Sequence, residues 1–256
     1  MKHAGKVVVV TGGASGMGRV AARMCSKEGA AVAVLDVNDE GIAETAEGYD
    51  SIHGFKIDIA DYQAVDDVVR QIESRLGPID RVYNAAAIMP YGKLLEQDAA
   101  VIHKLMEINY GGLVNIAKTT LPAMLERGRG DFISFASIAG WVPTLFVGAY
   151  TATKFAVVAF TEVLYHENKN KGLRFICACP PLVNTPLLQQ ARDTVWPKAL
   201  NSSPPIEPEC VIEAIEKALD RGKFWVFLGW KETMGVYMRR LVPGLNWRLI
   251  HRIEGW

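Results

Sequence analysis

No excess of charge marks this chain: 28 lysines and arginines meet 28 aspartates and glutamates over 256 residues, a formal net charge of zero. No global field draws it to nucleic acid or to a bilayer, so any charged partner must be recognised locally. Cysteine is scarce as well. Cys25, Cys177, Cys179 and Cys210 make no disulfide framework for a chain of this length, which points to a reduced, cytoplasmic protein. Cys177 and Cys179 share one face of an expected buried strand. No histidine or second cysteine pair completes a ligand set there, so no metal is expected. No apolar run nears the roughly 20 residues that cross a membrane, and residues 7–10 are too short for a signal-peptide core. Internal repeats and interdomain linkers are missing too, while half of the residues are apolar. The expectation is one large α/β domain over 1–256.

What the chain does contain is an alternation of strands and helices. Residues 7–10 are a β-branched run, followed by Gly12, Gly13, Ser15, Gly16, Met17 and Gly18 and then by helix-periodic residues 20–27. A strand, a glycine turn and a helix opening let the backbone approach a phosphate at the positive end of the helix dipole. A dinucleotide's pyrophosphate fits there; an ordinary β-to-α turn fits the same residues. The second strand, 31–35, ends in Asp36, about 20 residues past the glycines. A carboxylate there accepts ribose hydroxyls and repels a 2′-phosphate, and neither Ser15 nor Val37 is basic, so NAD is favoured over NADP.

Helices at 38–47, 61–75 with Asp61 as N-cap, 96–126 and 207–219 alternate with strands at 51–57, 79–83, 131–136, 173–179 and 224–228. Such units predict a doubly wound, Rossmann-type parallel sheet of about seven strands, with helices on both faces and ligands at the strands' carboxyl ends. Asp58 and Asn84 fall just past strand ends, placed to contact a cofactor or to fix a loop. Asn109 sits inside the expected 96–126 helix beside Gly111 and Gly112. Asparagine is a poor helix-interior residue, so its side chain does something specific or a bulge lets it bond to backbone.

Tyr150 and Lys154 are four residues apart near the start of an apolar run, so on a helix they leave one face. An adjacent ammonium favours the phenolate. Lowering a tyrosine pKa from about 10 to ~7 asks for roughly 4 kcal/mol. A solvated surface pair has the same spacing. Residues 155–165 of that helix are apolar almost all round, which calls for a second covering, and a second subunit in a homodimer or homotetramer would supply it.

Together these motifs resemble the short-chain dehydrogenase/reductase family from residue 6 to about 228. Thr11, Gly12, Gly16 and Gly18 match its cofactor loop, Asp36 its NAD-selecting acid, and Asp58 and Ile59 its adenine contact. Asn84, Ala85 and Ala86 resemble the turn after its fourth strand. Asn109, Ser137, Tyr150 and Lys154 match its catalytic tetrad. The resemblance implies that Tyr150 exchanges the alcohol proton while hydride passes to NAD, with Lys154 lowering its pKa and binding the nicotinamide ribose. It implies further that Ser137 holds the substrate oxygen, that Asn109 holds a water, and that Pro180, Val183 and Thr185 anchor the carboxamide. Two positions depart from the family, Ala87 and Pro181, where glycine is usual, and both alter backbone freedom beside the cofactor.

Segments 88–91, 139–143, 187–188 and 195–196 are expected around the open end of the site. They are mainly apolar and aromatic, which favours a lipophilic secondary alcohol or ketone as substrate; simple packing of a lid over 186–206 fits them too. Residues 230–256 mix apolar side chains with Arg239, Arg240, Arg248 and Arg252, and Pro243-Gly244 divides them into two amphipathic helices. These either pack over the substrate entrance or a neighbouring subunit, or lie on an anionic membrane surface, where a tryptophan such as Trp256 would suit. A non-catalytic NAD-binding scaffold would keep the glycine turn but has no need of Ser137, Tyr150 and Lys154 together.

Overall fold

The computed structural model describes residues 1–192, 195–202 and 204–255, with the backbone alone at 202, 231 and 232. Asp193, Thr194 and Ser203 of the expected lid, and Trp256 of the tail, lie outside the described residues. Seven strands form one parallel sheet: β1 (Val7–Thr11), β2 (Ala31–Asp36), β3 (Ile52–Lys56), β4 (Ile79–Asn84), β5 (Gly130–Phe135), β6 (Leu173–Cys179) and β7 (Trp225–Phe227). Their spatial order is β3-β2-β1-β4-β5-β6-β7. The chain therefore runs outward from β1 to one edge and returns to β4 beside it, so the loops leaving β1 and β4 diverge and open a crevice.

Strand alternation supplies both cores. Val7 and Val9 face one cluster and Val8 and Val10 the other, because successive side chains leave opposite faces. The second cluster is covered by α1 (Gly16–Lys27), α2 (Asp39–Ala46) and α8 (Pro208–Asp220). The first is covered by α3 (Tyr62–Leu76), α5 (Gly112–Arg127) and α6 (Gly148–Glu167). On α6, Val157, Val158 and Thr161 are buried, while Phe155 and Val163 on another face are 41% and 55% exposed. Only part of this helix is covered within one chain.

The helix expected over 96–126 divides into α4 (Ala99–Met106), a π turn (Glu107–Gly111) and α5. Asp98 sets the late start, because its Oδ1 accepts the Ala100 N–H at 2.9 Å. The distortion falls on the π turn that contains Asn109, whereas Pro122 lies inside α5 without ending it. Past α7 (Pro186–Arg192), a 3-10 turn (Lys198–Ser202) meets the tail, which forms α9 (Trp230–Leu241) and α10 (Pro243–Glu254). Glu254 Oε1 accepts the Ala199 N–H at 2.8 Å, so α10 packs on the 198–202 turn.

A charged network that the sequence did not announce lies under β4 and β5. Arg81, 1% exposed, donates to Asp131 at 2.7 and 2.8 Å and to Glu216 at 2.6 Å. Arg174 also donates to Asp131, at 2.6 and 2.8 Å, and Tyr83 donates to Glu216. Burial pushes both carboxyls up, but Arg174 and Arg81 at Asp131, and Arg81, Tyr83 and Lys2 at Glu216, outweigh it and hold each below its usual range. Removing one partner of such a network strands the others. Arg81→Met is expected to lower the unfolding free energy at pH 7 by about 3–5 kcal/mol in urea titration. Because both folded carboxyl pKa values are depressed, that difference should shrink as the pH drops below about 4, where the unfolded chain takes up protons first.

Candidate active site

The crevice is built where side chains are absent. Gly12 has φ +65°, and a Cβ there would lie 2.7 Å from the Ala86 backbone. A Cβ on Gly18 would lie 2.2 Å from the Gly12 carbonyl oxygen, so α1 rests directly on the turn. Thr11 Oγ1 donates to Asn84 Oδ1 at 2.9 Å and accepts the Ala86 N–H at 3.2 Å, which ties the loop after β1 to that after β4. Asn84 thus fixes loops from beneath the cleft. Ser15 is the N-cap residue of α1, yet its side chain makes no capping bond, so the first N–H groups of the helix remain available.

The resulting cavity of about 370 Å³ is lined by Gly12, Ser15, Gly16, Met17 and Gly18 on one side. Asp36, Val37, Asp58 and Ile59 line its far end, and Ala85, Ala86 and Thr185 its inner end. Asp36 is held in place, Oδ2 accepting from Ala14 N at 3.1 Å and Oδ1 from Asn38 N at 3.0 Å. Pro180 and Val183 do not line it. The Pro180 carbonyl accepts the Ile138 N–H at 3.0 Å, and Val183 is buried in the core, bridged to Ile206. Ile108 and Lys104 join the lining without having been foreseen, and Ala87, Ile88 and Leu187 join it from segments expected beside the cofactor or at the open end. Lys104 reaches Asp58 at 3.3 Å from α4, a pairing set by the fold and invisible in local spacing.

Beside this cavity the four tetrad positions converge. Asn109 Oδ1 accepts the Ile88 N–H at 2.8 Å, and its Nδ2 donates to Ile88 O at 3.0 Å and to Thr153 Oγ1 at 3.1 Å. Thr153 in turn donates to the Tyr150 carbonyl at 2.7 Å. Both amide hydrogens and the oxygen of the asparagine side chain thus join the loop after β4 to α6. Lys154 Nζ donates to the Phe135 carbonyl at 2.7 Å and lies 5.6 Å from the Tyr150 ring centre. Ser137 caps a 3-10 turn (Ile138–Gly140), its Oγ accepting from Ala139 N at 3.1 Å.

The electrostatics differ from the expected ammonium-lowered phenol. Burial pushes the Tyr150 pKa up, and only a hydrogen bond from Ser137 pulls it back. Burial also lowers Lys154, to about 8. Both groups are desolvated together, and the ammonium spends its closest contact on Phe135, so the phenol is protonated in this state.

Tyr150 is buried in an apolar cluster with Met89, Tyr91, Leu188 and Ala191. Tyr91 meets it edge-on at 6.4 Å, and Trp196 stacks on Tyr91 at 6.3 Å. Gln190 on α7 accepts the Met89 N–H at 3.1 Å, which ties α7 to the loop after β4. Trp141, expected at the open end, is instead turned away. It packs on Trp225 at 5.1 Å and Phe227 at 5.9 Å, where β7 offers its large apolar surface an aromatic partner, and its Nε1 donates to Cys179.

A family model described as short chain dehydrogenase matches residues 6–196. The chain belongs to the short-chain dehydrogenase family. Like its relatives, this short-chain dehydrogenase is an oxidoreductase acting on CH–OH groups. It is 38% identical over 192 residues to the 2,5-dichloro-2,5-cyclohexadiene-1,4-diol dehydrogenase of Sphingobium indicum, covering 74% of this chain and 77% of the relative. It is 31% identical over 232 residues to the 3-ketodihydrosphingosine reductase of Mus musculus, covering 86% and 70%. A short chain dehydrogenase/reductase from Burkholderia phymatum, solved in complex with NAD, superposes with a TM-score of 0.84 at 25% identity, covering 96% of each chain.

A buried ammonium costs stability that an isosteric apolar chain does not. The folded pKa of Lys154 lies below its unfolded value, so the penalty is complete below about 8 and fades as the pH rises toward 10.5. Lys154→Met is expected to raise the melting temperature of the cofactor-free dehydrogenase at pH 7 by about 2–4 °C, the shift of ~1 kcal/mol in a chain of this size. In a thermal melt the advantage should decline toward pH 10.

Proposed function

We propose that this enzyme transfers a hydride between NAD(H) and a lipophilic secondary alcohol or ketone, with Tyr150 exchanging the proton on the substrate oxygen. The observation that carries this reading is the meeting of Tyr150 with Ser137 and Lys154 at an apolar cluster whose Ile88 and Leu187 also line the glycine-lined cavity. The residues present suit a dinucleotide. The open N-terminus of α1 and the side-chain-free turn suit a pyrophosphate, Asp36 the adenosine ribose, and Asp58 and Ile59 the adenine. Ala85, Ala86 and Thr185 would hold the nicotinamide end. NAD, when bound, supplies the hydride acceptor or donor.

The chain's own residues handle the proton. A buried, protonated Tyr150 is poised to donate to a ketone oxygen, and Ser137 beside it hydrogen-bonds the same oxygen as negative charge develops. In the opposite direction Tyr150 must lose its proton, which a charged Lys154 favours. Met89, Tyr91, Leu188 and Trp196 bring no formal charge to the surroundings of Tyr150, so a charged substrate group there would be desolvated without a partner. Tyr91 and Trp196 must part before anything reaches Tyr150, and 186–206 is the lid that carries Trp196.

The reaction class is supported by the names of two relatives, one a dehydrogenase of a cyclic diol and the other a reductase of a 3-keto compound. Asp36, with Ser15 and Val37 beside it, favours NAD over NADP. A panel of hydrophobic alcohols and ketones followed by NADH absorbance tests the reading. Tyr150→Phe is expected to lower kcat by about 10²–10⁴-fold while NADH binding stays within about twofold of wild type. Near-normal turnover of that variant, or faster turnover with NADPH, would overturn the assignment of the proton donor or of the cofactor respectively.

The partly uncovered helix α6 fits a homodimer or homotetramer, with Phe155 and Val163 as its contact. Val163→Glu is expected to reduce the sedimentation-equilibrium mass toward that of one chain, and an unchanged mass would remove α6 from the interface.

A further inference from the structure

Many of the large apolar side chains that the described residues leave exposed sit on α9 and α10. Trp230, Met234, Tyr237 and Leu241 recur along α9 at the spacing that keeps side chains on one helix face, with Trp230 70% and Leu241 77% exposed. On α10, Leu245, Leu249 and Ile253 form a second exposed stripe, while Ile250 and Glu254, one position further round, turn inward. Scattered exposed leucines need no explanation, but two continuous stripes do.

The same segment is the basic part of a neutral protein. Residues 230–256 hold five lysines and arginines against two glutamates, in a chain whose total is zero. Arg240, Arg248 and Arg252 are exposed beside the stripes. No helix among the described residues is long and apolar enough to cross a membrane, so any lipid contact must be made lying on the surface. We infer that α9 and α10 dock the protein on an anionic lipid bilayer. Their apolar stripes enter the headgroup boundary, and the arginines meet lipid phosphates. A second copy of the chain is the poorer occupant, because pairing these faces would bring like charge against like. Glu254 gives the docked helix its place in the enzyme. It accepts the Ala199 N–H at 2.8 Å, and Lys198 Nζ lies 3.5 Å from its carbonyl, so the lid sits directly behind the bilayer-facing helix.

This surface does not depend on the proposed substrate, and its test reads sedimentation rather than turnover. Full-length protein is sedimented with vesicles of phosphatidylcholine alone or containing about one third phosphatidylglycerol. Wild type is expected to bind the anionic vesicles at least roughly tenfold more tightly and to be released by high salt. Arg248→Gln with Arg252→Gln should weaken binding roughly 25-fold, each basic residue at such a surface being worth about fivefold. Leu245→Glu with Leu249→Glu should leave the protein in the supernatant with its NADH binding retained. Wild type that stays in the supernatant, or that binds both vesicle types equally, overturns the proposal. So does a leucine variant that still sediments with vesicles, or one that merely loses self-association in ultracentrifugation, which would assign the face to a second copy.

Discussion

The site depends on one steric constraint, the absence of side-chain volume where β1, α1 and the loop after β4 meet. Gly18 approaches the Gly12 carbonyl, and Gly12 approaches Ala86, at distances no Cβ could occupy. That closeness lets Thr11 bond to Asn84 and to Ala86 N across the strand-order reversal. Two loops that topology would splay apart are thereby stitched at their base, and the cavity opens above the stitch. The opening N–H groups of α1 and the carboxylate of Asp36 then face one space because the same packing fixes both.

A second chain of bonds extends this frame to the chemistry. Asn109 sits in a π turn, where the helix accommodates an extra residue, and its amide reaches both the Ile88 backbone and Thr153. Thr153 passes the contact to the Tyr150 carbonyl. The loop after β4 and the helix bearing the phenol are thus set relative to each other by neutral hydrogen bonds, leaving Lys154, the one buried ammonium among the described residues, without a carboxylate partner. An ammonium so placed is costly in the folded chain and valuable beside a reacting oxygen, the usual mark of a site where stability is given up for function.

Much of this was legible in the sequence, for reasons that differ by element. The strands were readable because a parallel sheet buried on both faces demands continuous apolar runs such as Val7 to Val10. The residue-level site was readable where chemistry forces residue type: glycines at close approach, an acid at the end of β2, and a tyrosine four residues before a lysine. What escaped was long-range pairing. Arg81 looks like one polar residue in a strand, and nothing local says that it meets Asp131 and Glu216 from elements 50 and 135 residues away. Lys104 reached the cavity in the same way. Trp141 was misplaced because adjacency to Ser137 in sequence was read as adjacency in space, whereas its indole found the aromatic surface of β7. The phenol's pKa was misjudged because spacing fixes which groups are neighbours and says nothing about how dry they are.

The tail shows how one short helix can serve two environments. Along α10, Leu245, Leu249 and Ile253 drift around the helix axis by a small angle per turn, and the series Asn246, Ile250 and Glu254 drifts beside them by the same amount. One series is exposed and the other buried, so the boundary between solvent and protein runs lengthwise along the helix. A carboxylate on the buried side is tolerated because it accepts the Ala199 backbone N–H at 2.8 Å. The helix is therefore held to the enzyme by Asn246, Ile250 and Glu254, and it packs on α9 and on the 198–202 turn. Whatever surface its exposed leucines meet lies one helix away from the segment that leads to Trp196, which stacks on Tyr91 and through it adjoins the Tyr150 ring.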